Sequence, residues 1–164
     1  MTSMITATFK TRPAAEQALR NLDAHGITDE QISLIITDET RGKSFNMETS
    51  SRVDEGLAAG ATAGGMVGVV LGALATASAI AIPGLNVVVA GTFVSAMAGL
   101  GAGAATGGLV GALVGAGMTE HEAKLYEDEV KNGSILLAIE ANDNDDKDEI
   151  ENLLKREDAY NIAA

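Results

Sequence analysis

Apolar and polar residues alternate over residues 4–9, where Ile5, Ala7 and Phe9 are separated by Thr6 and Thr8, a period of two that predicts a half-buried strand. The period then changes. Ala15, Ala18, Leu19 and Leu22 fall on one face of a helix that Pro13 opens and Gly26 closes. The run Ile32-Ser33-Leu34-Ile35-Ile36 has polar residues on both sides and predicts a buried strand, completing a βαβ unit over residues 1–37. Residues 38–55, rich in Ser, Thr, Asp and Glu, predict a polar connector.

Periodic soluble patterning resumes only at Thr119. Thr119 and Glu122 have the spacing of a capping box; Ala123, Tyr126 and Val130 form the apolar face of the helix they start, and Gly133 ends it. Residues 134–141 (SILLAIEA) predict a strand buried on both faces for most of its length. A further helix opens at Asp145 or Asp146 and runs through Leu153 and Leu154, and AYNIA predicts a short last strand. Residues 119–164 therefore read as αβαβ. Joined to 1–37, they predict an α+β fold, a ferredoxin-like split βαβ sandwich of single-domain size.

Between the two halves lies a block of another kind. From Gly56 to Thr119 no side chain is charged, and glycine recurs at every fourth position in two ladders, Gly56, Gly60, Gly64, Gly68, Gly72 and Gly99, Gly103, Gly107, Gly111, Gly115. The ladders mirror each other about the neighbourhood of Pro83, Gly84 and Asn86, which predicts a helical hairpin over 56–118 with its turn at those residues. Gly91 and Ser95 extend the second ladder. Repeated small residues let helix backbones approach closely, so the ladders are candidate surfaces for self-association, within the hairpin and between copies. A helix over 57–82 would span ~39 Å, more than a ~30 Å hydrocarbon core, and the segment 86–117 is longer. Because many of the residues are Ala and Gly, each helix inserts only marginally alone, and a packed hairpin or an oligomer of hairpins is the better inserting unit. The other reading is a soluble assembly in which the hairpins are covered by neighbouring copies. A pore is ranked lower, because only scattered residues such as Thr62, Thr76, Ser78, Thr92, Ser95 and Thr106 supply a polar lining.

Composition narrows the function. Lys and Arg number 11 against 23 Asp and Glu, a net charge of −12, which disfavours a nucleic-acid backbone as partner. Cysteine is absent, which removes disulfides, thiol nucleophiles and thiolate metal sites. The N-terminal residues lack the pattern of a cleaved leader and predict a chain that starts in the cytoplasm. Residues 99–104 match G-x-G-x-x-G/A in form but lack a preceding strand and the acidic residue about twenty positions on. The acidic run 142–149 has Asp148 where a calcium loop needs glycine and Leu154 where it needs glutamate, so a solvated helix N-terminus is the better account. His25 beside Gly26 reads as structural and His121 as solvated; Glu120, Glu122, Glu127, Asp128 and Glu129 read as a solvated helix face. No catalytic, cofactor or metal constellation emerges.

Three pieces taken together, RPAAEQALRNLDAHGITDEQISLI, the Gly/Ala block turning at AIPGLN, and GALVGAGMTEHEAKLYEDEVKNGSILLAI, resemble a family of small bacterial stress-associated membrane proteins described as general stress, heat-induced or low-temperature-induced. The similarity covers most of the chain, though not residues 41–55. The resemblance implies a stress-linked, non-enzymatic role and supplies no catalytic residues. The combined expectation is a self-associating membrane protein with an acidic α/β module and both termini in the cytoplasm. The alternative is a soluble homo-oligomeric scaffold or shell.

Overall fold

A computed structural model describes residues 3–37, 39–40, 80–82, 87–91, 102–115 and 117–163. Its centre is an antiparallel sheet built from β1 (Ser3–Phe9), β2 (Ile32–Thr37), β3 (Ile80–Ile82), β4 (Val87–Gly91), β5 (Ile135–Ala141) and β6 (Tyr160–Ala163), in the spatial order β3-β4-β2-β5-β1-β6. The helices among the described residues are α1 (Arg12–Ala24), α2 (Ala102–Gly115), α3 (Glu120–Lys131) and α4 (Asn144–Arg156). The chain is therefore α+β, as the alternation of periods predicts.

The strand pattern divides the core in two. On β1, Ile5, Ala7 and Phe9 face one side and pack with Leu34 and Ile36 of β2, Leu137 and Ile139 of β5, Leu19 and Leu22 of α1, and Ile150 and Leu154 of α4. The opposite face carries Ile35, Leu136, Val87 and Val89 under Leu109, Ala112 and Leu113 of α2 and Ala123, Tyr126 and Val130 of α3. At about 1.5–3 kcal/mol for each large side chain taken from water, both clusters are main sources of stability.

Local signals set the helix ends. The Thr11 hydroxyl accepts from the Ala14 amide at 3.4 Å, and Gly26 leaves α1 at φ +85°, a conformation open to glycine. At α3 the Glu122 amide donates to the Thr119 hydroxyl (3.3 Å) and the Thr119 amide to the Glu122 carboxylate (3.1 Å), completing the capping box. The Thr119 hydroxyl, donating to the Glu122 carboxylate at 2.7 Å, and after it the Thr119 amide hold the Glu122 carboxyl below its ordinary range; the Lys124 ammonium does the same for Glu120, which in turn raises Lys124. Asp143 opens α4 by accepting from the Asp145 and Asp146 amides at 3.0 and 2.9 Å, so the acidic run is a helix N-terminus.

One expectation is corrected here. Residues 80–82 and 87–91 are strands and not parts of long helices, with Ile80 opposite Val89 and Ile82 opposite Val87. The β-branched cluster Val87, Val88, Val89, with Ile80 and Ile82, suits a pleated surface, and β4 pairs along β2 from Ser33–Gly91 to Thr37–Val87, covering what would be an open sheet edge. Helices occupy both faces of the sheet, α1 and α4 on one and α2 and α3 on the other. Among the described residues no helix is long and apolar enough to cross a membrane.

Candidate self-association surface

Of the ladder glycines, Gly103, Gly107, Gly111 and Gly115 lie in α2. Gly56, Gly60, Gly64, Gly68, Gly72 and Gly99, and the turn residues Pro83, Gly84 and Asn86, lie outside the described residues. Gly91 is a correction: it sits in β4 opposite Ser33 at φ +102°, and a Cβ there would meet the Ile32 carbonyl oxygen at 2.3 Å. Glycine is needed at this position for a close strand approach, not for helix packing.

α2 carries no charged residue on any side. Leu109, Ala112 and Leu113 are buried against the sheet and α3, while Gly107, Val114 and Gly115 are exposed, Val114 at 40%. A Cβ added at Gly107 meets no atom within 4 Å, so that part of the ladder looks outward. The helix is also not straight. Gly108, at φ 59° and ψ −145°, breaks the helical path between the pair Gly103 and Gly107 and the pair Gly111 and Gly115.

Just past this break the Val110 amide donates to a carboxylate oxygen of Glu127 on α3 at 3.3 Å. Glu127 also pairs with Lys131, and its side chain is only 15% exposed. Sequence patterning placed Glu127 on a solvated face; the neighbouring helix takes it out of water. The adjacent pair Gly107-Gly108 is the one sequence signal of the break, since paired small residues are a recognised cause of kinks.

The remaining candidates resolve as structural groups. His25 Nδ1 lies 2.7 Å from the Asn21 carbonyl oxygen at the end of α1, and Nε2 lies 3.9 Å from Glu149, beside a cavity of about 20 Å³ with room for one water. His121 is exposed in the first turn of α3. Among the described residues no group of three or more His, Asp or Glu side chains is placed to hold a metal. Tyr126 is buried at 2% exposure and donates from its hydroxyl to the Asn161 carbonyl of β6; burial pushes its phenol up. The nucleotide-like motif at 99–104 lies half outside the described residues, and Ala102, Gly103 and Ala104 form the start of α2. Comparison with protein-family models, with curated proteins and with solved structures finds no match for this chain.

Proposed function

We propose that this chain is a non-enzymatic, self-associating, stress-related protein whose uncharged Gly/Ala insert associates with a membrane while the acidic α/β module stays on the cytoplasmic side. The observation that carries this reading is the outward side of α2, uncharged and exposed at Gly107, Val114 and Gly115 although the helix already buries its other side. A helix apolar all round is stable when every side is covered, here by lipid or by another copy. The order β6-β1-β5-β2, with α1 and α4 packed on one face, supports a ferredoxin-like relationship for the module, to which β3, β4, α2 and α3 are additions. Pairing of β1 with β6 brings the two ends of the chain to one sheet, which supports placing both termini on one side of the membrane. The stress-linked role rests on the sequence resemblance.

Retention in the pellet after membranes are washed with alkaline carbonate, with release only by detergent, is the expected result. A second reading, a soluble homo-oligomeric scaffold, is favoured by the docking of Leu109, Ala112 and Leu113 and of β4 onto the module, which ties the end of the insert to the sheet. Recovery as a monodisperse oligomer without detergent would decide for the scaffold.

A further inference from the structure

We propose that Glu127 latches the bend in α2, and that the bend controls whether the glycine ladder can serve as one packing surface; this inference rests on the self-association reading above. Gly108 at φ 59° and ψ −145° occupies a region essentially closed to residues with a side chain. A helix interrupted there restarts at Leu109, and the first amides of the new segment need acceptors from outside it. Glu127 supplies one of them to Val110, and its negative charge sits favourably at a helix start.

The acceptor cannot drift far. Ala123, Tyr126 and Val130 anchor α3 in the second core cluster, and Lys131 holds the other Glu127 oxygen. The restarted segment in turn places Leu109, Ala112 and Leu113 in the same cluster. Bend, cap and packing thus support one another.

The consequence falls on the ladder. Small residues four apart make a close-packing surface only along one continuous helix, where each step drifts by ~40°. The bend puts Gly103 and Gly107 on one segment and Gly111 and Gly115 on another. With residues 106–110 helical, the four glycines would follow a single line. The bent form therefore disfavours association through the whole ladder, and release of Glu127 favours it.

The test uses the full-length chain with three substitutions, Glu127→Leu, which removes the acceptor, Glu127→Gln, which keeps one, and Gly108→Ala, which strains the bent backbone. Cα chemical shifts across residues 106–110 read the bend, and chemical crosslinking reads self-association. Glu127→Leu and Gly108→Ala should both move the shifts to helical values and strengthen association about tenfold, the first through loss of a hydrogen bond to a charged group and the second through strain on the bent backbone. Glu127→Gln should resemble the parent. If Glu127→Leu fails to fold, Gly108→Ala gives the same reading with the α3 contact residue intact. Unchanged shifts in the substituted chains, or helical shifts with unchanged association of an associating parent, would overturn the latch alone. A parent that stays monomeric together with both straightened variants would overturn the proposed self-association as well.

Discussion

On one face of the sheet, α1 and α4 bury Leu19, Leu22, Ile150 and Leu154 and turn charged residues such as Glu16, Arg20, Glu151 and Lys155 to the outside, where they form i,i+4 pairs. On the other face α3 follows the same plan at its Lys124–Glu120 pair, but Glu127, paired with Lys131, is turned toward α2, which itself offers no charged residue at all. The first face is finished as a soluble surface; the second ends in a helix whose outward side is apolar and glycine-rich. Surface ion pairs add little stability, so the difference concerns what each face meets outside the protein more than how firmly the core is held.

The largest effects should come from the two cores, and they test whether α2 belongs to the module. Phe9 is fully buried in the first cluster, and Phe9→Ala should lower unfolding free energy by ~3–5 kcal/mol. Leu113 is equally buried in the second, and Leu113→Ala should cost ~2–5 kcal/mol. Denaturant titration of the full-length chain measures both. A Leu113→Ala chain as stable as the parent would mean that α2 adds nothing to the module, and the two faces would differ far more than their burial indicates.

Much of the first face is legible in the sequence because its cues are local. Pro13 and Gly26 mark the ends of α1, and the alternation around Thr6 and Thr8 identifies the side of β1 that meets the first cluster, whereas α4 is capped by Asp143, just ahead of the expected start at Asp145 or Asp146. The second face depends on contacts distant along the chain. Short apolar runs such as 80–82 and 87–91 fit helix or strand equally by periodicity, and the open edge of β2 decides for strand. Four-residue glycine spacing is likewise shared by a helix interface and, at Gly91, a strand position requiring positive φ. The link from Glu127 to Val110 has no sequence pattern of its own, because α2 and α3 meet only in the folded chain.

Gly91 gives the next effect in size. A Cβ there would stand 2.3 Å from the Ile32 carbonyl oxygen and 2.7 Å from the Ser33 Cα, on a backbone at φ +102°. Gly91→Ala should therefore cost ~1–3 kcal/mol and loosen β4 from β2. Hydrogen exchange should quicken at β2–β4 amides and stay slow at β1–β5 amides. Unchanged protection of β4 would remove the steric reason for glycine at this position and leave a helical role open.

Gly107 should behave in the opposite way, since its added Cβ meets open space. Gly107→Ala should stabilise the helix by up to ~0.8–1.0 kcal/mol through propensity. Gly107→Leu should leave the fold intact yet weaken self-association, because an isobutyl group holds neighbouring backbones apart. Crosslinking compared with denaturation separates the two effects. A Gly107→Leu chain that assembles like the parent would show that the outward side of α2 is not the contact surface.

An effect of similar size at neutral pH concerns Tyr126, the polar member of the second cluster. Its hydroxyl donates to the Asn161 carbonyl, and Tyr126→Phe should cost ~0.5–1.5 kcal/mol by removing that bond. Burial raises the phenol in the folded state above the ~10 of an unfolded chain, so over that interval the folded protein keeps a proton that the unfolded chain has lost. More protons bound in the folded state means that stability falls as pH rises. The contribution is fully present below about pH 10 and declines above it. Phenylalanine has no proton to lose, so the gap between parent and Tyr126→Phe should narrow on the alkaline side. Denaturant midpoints for both chains, measured from pH 7 upward, check the sign. A constant gap through pH 11 would mean that water reaches the phenol and that the second cluster is less well closed around Tyr126 than its burial indicates.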